Sequence, residues 1–329
     1  MAENSVLETV LLLALPASGK SEVRRYLEHV PPDKRERDFH MGPNAQLDDF
    51  PYVHIMRRVD DELTARGKAR VYFSSSDKPF KDPLDWGTLI ELLNEDYANL
   101  VGRKRVSPKS PALHIFDRID AASRAVGAPE RLKALDAATR GEVAKALDKE
   151  CGELLKDLRD RAPESLKGKT LVIEFARGGP QGSAMPLKAP FGYEYSLSRL
   201  SEDMLRKAVI LYIWVTPEES RRKNQARNNP DDPGSILHHG VPIDVMLNDY
   251  GCDDFEWLES KSERPGTVTV KAHGKTFHIP FARFDNRVDK TSFLRADPKA
   301  WDPAHVQAVH DGLAGALGKL AGARETAGK

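Results

Sequence analysis

The stretch Thr9–Leu27, TVLLLALPASGKSEVRRYL, constrains this chain more than any other. Val10–Leu15 is a short continuous apolar run, the form of a strand buried on both faces of a parallel sheet. After Lys20, Val23 and Leu27 fall one helical turn apart among Arg24, Arg25 and Glu28, so a helix opens there. Between strand and helix, Ala14-Leu15-Pro16-Ala17-Ser18-Gly19-Lys20-Ser21 matches the phosphate-binding pattern G-x-x-x-x-G-K-[ST], with Ala at the first glycine. A chain of this length meets that relaxed pattern by chance in roughly 2 cases in 100. In this setting, backbone N–H groups around Pro16, Ala17, Ser18 and Gly19 would cradle phosphate at a helix N-terminus. Gly19 would take a positive φ. Lys20 would neutralise phosphate charge, and the Ser21 hydroxyl would ligate Mg²⁺. Ala14 is tolerable where φ is negative, since it then adds only a methyl group.

The 329 residues carry 50 basic and 50 acidic side chains, so no global field draws nucleic acid or an anionic membrane. Nucleic acid is therefore disfavoured as a partner. Cys151 and Cys252 are far apart and outside C-x-x-C spacing, which fits a reducing compartment. Val10–Leu15 is too short to span a bilayer, and Glu3 and Glu8 are the wrong flank for a secretion signal. The expectation is a cytoplasmic protein with no membrane partner and an undetermined oligomeric state.

Residues 26–44 are polar and Pro-containing and read as a loop, in which Asp38 either faces a substrate or caps a turn. Tyr52–Ala65 is an amphipathic helix carrying Arg57 and Arg58, either of which could reach a substrate anion. Ala69–Ser75 reads as the second strand. It would place Asp77 at a carboxyl end, where a carboxylate serves as base or metal ligand. Asp85–Leu100 is helical, residues 102–111 form a basic connection, and 112–161 read as a helical insertion. Thr170–Ile173 is a buried strand ending at Glu174, the position of an acid that holds Mg²⁺, with Arg177 facing the same cleft. Gly178–Pro190 is a Gly/Pro/Ser-rich loop and Tyr195–Lys207 is helical by period.

Ala208–Val215 is the next strand, and Thr216-Pro217-Glu218-Glu219 opens a helix with a capping box. Arg221, Arg222, Lys223 and Arg227 follow, running into a loop from Asn228 to Gly234. The region 217–240 reads as a lid. Asp231–Gly234 spells D-x-x-G but follows no strand, and His238-His239 lacks partners at zinc-ligand spacing. Ile243–Trp257 begins as a helix and breaks at Gly251, with Asp249, Asp253, Asp254 and Glu256 facing a substrate or water. Thr267–Val270 and Thr276–Phe281 read as a hairpin. It leads past Asn286 to a loop where an adenine could rest. Trp301–Leu320 is a last helix, and 322–329 a frayed tail on a single domain of residues 1–321.

A degenerate phosphate loop, an acid-x-x-Arg strand end at Glu174–Arg177 and an Arg-rich helix after a core strand together resemble the P-loop kinases, nearest in look to the deoxynucleoside and thymidylate kinase branch. The resemblance implies an α/β, doubly wound, mostly parallel sheet of the P-loop NTPase kind. To it are added the helical insertion and a C-terminal hairpin plus helix. It implies Mg²⁺ and ATP held by Pro16, Ala17, Ser18, Gly19, Lys20 and Ser21, with Glu174 as the metal-side acid. It also implies Arg177 as phosphate clamp, Asp77 as base, and Arg221, Arg222 and Arg227 as lid contacts. In that family the acid and the arginine are usually adjacent, whereas Phe175-Ala176 separates them here. The expected activity is γ-phosphoryl transfer from Mg-ATP to a small-molecule acceptor, for example a nucleoside or nucleotide. A P-loop ATPase with regulatory or mechanical output ranks second, because the apolar run ends in Glu174-Phe175 rather than Asp-Glu.

Overall fold

Burial is complete along β1 (Thr9–Leu13), and its side chains split between two cores. Leu11 and Leu13 join one cluster, Val10 and Leu12 another, as the period-2 geometry of a central strand requires. The computed structural model describes residues 6–227 and 240–327. The loop from Asn228 to Gly234, the His238-His239 pair and most of the second half of the expected lid lie outside the described residues.

After β1 come α1 (Lys20–His29), α2 (Pro32–Phe39), β2 (Asn44–Asp48) and α3 (Phe50–Ala65). Next are α4 (Asp85–Val101), α5 (Pro111–Ala125), α6 (Ala137–Asp160) and β3 (Thr170–Phe175). Then follow α7 (Gly192–Arg199), α8 (Glu202–Lys207), β4 (Ala208–Trp214), α9 (Pro217–Arg227), α10 (Ile243–Asn248) and α11 (Phe255–Ser260). The chain closes with β5 (Thr267–Ala272), β6 (Lys275–Asp285) and α12 (Pro303–Ala327). The described strands form one six-stranded sheet in the order β2-β3-β1-β4-β6-β5. Every neighbouring pair is parallel except β5 and β6, which form the expected C-terminal hairpin.

Helices cover both faces of this mixed α/β sheet. On one side Ile90, Leu93 and Tyr97 of α4 and Leu197 of α7 pack beneath Leu11 and Ile210. On the other, Val23 and Leu27 of α1 and Leu313 and Leu317 of α12 pack against Leu12 and Leu211. A third core lies beyond the carboxyl end of β1, where Leu15 meets Tyr52, Ile55 and Met56 of α3. The helices α5 and α6 pack on each other, on α4 and on α3, so the 112–161 segment is half of a four-helix layer. The α12 helix continues to Ala327, past Gly322, where fraying was expected.

Two expectations are corrected. Residues 26–44 are not a loop: α1 extends to His29 and α2 follows. Asp38 sits on α2 beside Arg37 and His310, against α12 rather than at the mouth of the site. Residues 69–75 form no strand beyond an isolated bridge from Phe73 to Phe80. The Asp60 carboxylate instead accepts the backbone N–H groups of Val71 (2.6 Å) and Phe73 (2.7 Å), and that of Tyr72 as well. A buried side chain from α3 thus supplies the acceptors a neighbouring strand would have given. The second strand is Asn44–Asp48, an edge strand with only Ala45 and Leu47 fully buried.

Candidate functional site

The loop between β1 and α1 is drawn tight by its own side chains. Ser18 Oγ donates to Leu15 O at 2.6 Å, and Lys20 Nζ donates to Ala14 O (3.2 Å) and Leu15 O (3.3 Å). The left-handed residues are Ala17 (φ 55°) and Gly19 (φ 105°), not Ala14, so the substituted first glycine is not where backbone freedom is used. A Cβ on Gly19 would collide with Thr291 Oγ1 and Asn286 Nδ2. Asn286, at the end of β6, donates through Nδ2 to Ser18 O at 2.7 Å, so the segment expected to lie near an adenine clamps the loop itself. Pro16 has no N–H to offer. Its carbonyl accepts from Ser220 Oγ of α9 at 2.7 Å, which ties the first half of the expected lid to the loop.

This loop opens on a cleft lined by Lys20, Ser21, Arg24, Asp48, Asp49 and Glu174 at its polar end. Strand register sets the acids: Asp48 lies beside Glu174 across β2–β3, and Glu174 beside Leu12 across β3–β1. These are carboxyl ends of parallel strands, and β3 and β4 leave β1 on opposite sides, so the crevice is at a switch point of the sheet. Arg24 Nη1 donates to Glu174 Oε2 at 2.8 Å. Burial, with Glu174 and Asp49 adding repulsion, pushes the Asp48 carboxyl up to about 7. Burial likewise lowers the Lys20 ammonium below its ordinary value, against the pull of Glu174 and Asp48. A carboxylate that titrates near neutrality beside a desolvated ammonium is the electrostatic pattern of sites that move protons and bind anions.

Sequence-based candidates divide into those brought together and those held apart. Lys20, Ser21, Glu174 and Arg227 share the cleft with Pro16, Ala17 and Ser18. Arg227 Nη2 donates to Glu22 Oε1 at 3.2 Å, and Arg295 Nε to the same oxygen at 2.7 Å. Burial raises the Glu22 carboxyl, but Arg227 and Arg295 together hold it below its usual value. Arg221 and Arg222 pair instead with Glu218 and Glu219 one turn back on α9. Asp77 is exposed, accepts from Ser75 Oγ and does not line the cleft; without a strand before it, the expected base is not in position.

Arg177 is also outside the lining. It is 1% exposed, and its Nη1 donates to Asp49 Oδ2 at 2.6 Å while Nη2 donates to Trp86 O at 3.3 Å. The expected phosphate clamp is therefore a buried brace. It holds the β2–α3 junction to the start of α4.

Asp48 and Asp49 were not singled out from sequence. Their signal was there in Leu47-Asp48-Asp49-Phe50-Pro51, a carboxylate pair at a strand-to-helix junction, but the strand before it carries too few apolar residues to stand out. Of the later acidic cluster, only Asp249 reaches the cleft. Asp253 accepts from Tyr212 Oη at 2.6 Å, and Asp254 accepts N–H groups that open α7. Arg57 also lines the cleft, whereas Arg58 pairs with Glu62 and Glu150 at the surface.

With this geometry the molecule is defined as a mixed α/β protein with a mostly parallel sheet and a cleft outside the carboxyl ends of its central strands. No protein-family model, no curated protein and no solved structure matches the chain. Among the described residues, no helix is long and apolar enough to cross a membrane.

Proposed function

We propose that the protein transfers the γ-phosphoryl group of Mg-bound ATP to a hydroxyl of a small-molecule acceptor. In this reading the sheet is that of a P-loop NTPase and the Ala14–Ser21 loop is its phosphate cradle. The observation that carries the reading is the convergence on one cleft of Lys20 and Ser21, which open α1 after the left-handed Gly19 N-cap, with the Asp48/Glu174 pair. Lys20, which donates to its own loop carbonyls here, would exchange them for phosphate oxygens. Arg227 would add a second cation from α9, braced by Glu22.

The metal is tested by the donor set. Asp48, Asp49 and Glu174 crowd one another strongly enough that repulsion adds to burial in raising Asp48, and a divalent cation relieves such crowding. No group of three or more His, Cys, Asp or Glu poised as a metal cage occurs among the described residues. Mg²⁺ in phosphoryl-transfer sites uses one or two protein donors and completes its shell with water and phosphate, so the residues fit. Ser21 and Glu174 would hold it. When bound it supplies charge neutralisation on the phosphate oxygens.

Asp48 takes the role of base that Asp77 is not placed to fill. Burial, the largest cause of its raised carboxyl, makes it a stronger proton acceptor than a solvated carboxylate for a hydroxyl near neutral pH. Catalysis otherwise consists of positioning and charge complementarity in a partly closed cleft. The test is ADP release over a panel of nucleosides, nucleotides, sugars and small alcohols, with the natural chain and with Lys20→Ala. Acceptor-dependent release is expected, falling by about 100-fold or more in the folded variant. Undiminished turnover in Lys20→Ala, or hydrolysis indifferent to every acceptor, would remove the reading.

A further inference from the structure

The two ends of the cleft differ in chemistry. Away from Asp48 and Glu174 its walls are aromatic: Phe73 stacks on Phe80 at 4.5 Å, Phe80 meets Trp86 edge-on at 5.1 Å, and Trp86 meets Tyr250 at 5.5 Å. Two charged side chains interrupt this wall, Arg57 and Asp249. The Arg57 guanidinium lies over the Phe73 ring at 3.9 Å, with Nη1 donating to Ser76 O (2.7 Å) and Nη2 to Lys78 O (3.3 Å). Its terminal nitrogens are engaged by backbone.

Asp249 is different. It is 5% exposed; a side-chain hydrogen bond from Trp86 favours its charged form, yet Oδ2 itself has no partner at hydrogen-bond geometry among the described residues. A buried carboxylate oxygen without a donor is costly and rare in native structures, and it points to a missing partner. Asp249 is not loosely held. Cys252 and Gly179 exchange backbone hydrogen bonds (2.9 and 3.2 Å), and a Cβ on Gly178 would strike the carbonyls of Asp249 and Cys252. The turn after α10 is thus pressed against the segment that follows β3.

We infer that this aromatic arm seats the acceptor as a flat heterocycle bearing an amino group, whose N–H is donated to Asp249 Oδ2; this rests on the phosphotransfer reading above. Aromatic walls bind flat rings by stacking and edge contacts. Once ionised, the unpaired acceptor selects a ring with a donor over one presenting a carbonyl oxygen at the same place, because the second would leave two acceptors facing each other. The carboxylate also disfavours a phosphate at this end, so the ring lies in the arm and the reacting hydroxyl points towards Asp48.

The test is calorimetric binding at about pH 8, where Asp249 is largely ionised, to the full chain, without ATP, of two matched pairs: cytidine against uridine and adenosine against inosine. The amino-bearing member of at least one pair is expected to bind the natural chain about tenfold tighter or more. The gap should close or reverse in Asp249→Asn, which offers a donor of its own. Members of both pairs binding within about twofold of each other in the natural chain, or none binding at all, overturns the assignment without recourse to any variant. So does an Asp249→Asn chain that is folded and keeps the full preference. Discrimination without phosphoryl transfer would strike only the proposed activity, and transfer without discrimination only this assignment.

Discussion

Arg177 and Asp49 form an ion pair with both partners buried, at 1% and 6% exposure. The guanidinium also lies 5.0 Å over the Trp86 ring and 5.2 Å over that of Phe175, so aromatic faces as well as oxygens surround it. Burial raises the Asp49 carboxyl, and Arg177 is the strongest influence against that rise. Removing one member of such a pair leaves an uncompensated buried charge. Arg177→Met should therefore destabilise the fold by about 3–5 kcal/mol in urea denaturation. Adding Asp49→Asn to that variant should recover part of the loss, since no charge then remains unpaired. A phosphate clamp would behave differently: ATP affinity would fall in Arg177→Met while stability barely moved. Gly19 makes the complementary point about backbone. Its φ of 105° and its closeness to Asn286 and Thr291 leave no room for a side chain, and this requirement was readable from the motif alone.

At the scale of elements, the decisive feature is the substitution of a side chain for a strand. Val71, Tyr72 and Phe73 have the composition of a strand, and in sequence nothing distinguishes them from one. Asp60 distinguishes them, eleven to thirteen positions earlier, by taking their N–H groups. That contact is non-local, so no local pattern announces it. The same logic explains what was legible. β1, β3 and β4 are mostly apolar runs whose burial dictates their conformation, and the loop after β1 and the acid near the end of β3 follow from them. β2 is an edge strand with short alternation, and both carboxylates at its end were lost with it. The Asp60 bracket also shapes the site, because it holds Phe73 in the aromatic wall and beneath Arg57. Asp60→Ala, which orphans three N–H groups, should cost about 3 kcal/mol or more of stability. Its functional signature should be a raised KM for the acceptor with ATP affinity retained. Equal losses of both would place the effect in general unfolding rather than in the wall.

For the molecule as a whole, the cleft is kept at some expense of stability, and pH exposes it. Burial pushes the Asp249 carboxyl up to about 7 from an ordinary 3.8, with a hydrogen bond from Trp86 and then Arg57 only partly offsetting it. The folded state then holds this proton more tightly than the unfolded chain does. Below about pH 4 both states are protonated and the group takes nothing from stability. As pH rises from about 4 to 7 the unfolded chain ionises while the folded one resists, so stability falls through that window and levels above it. The full effect is at most on the order of 4 kcal/mol, from 1.36 kcal/mol per pKa unit. Asp249→Asn, which cannot ionise, should be more stable than the natural chain by an amount that is small at pH 4, grows to pH 7 and stays constant beyond. Urea denaturation of both chains at pH 4, 5.5, 7 and 8.5 measures this directly. An amino-bearing ligand that donates to the ionised carboxylate would narrow the gap above pH 7 by restoring what burial took away. A difference between the two chains that stays flat across all four pH values would show that Asp249 is not the titrating group.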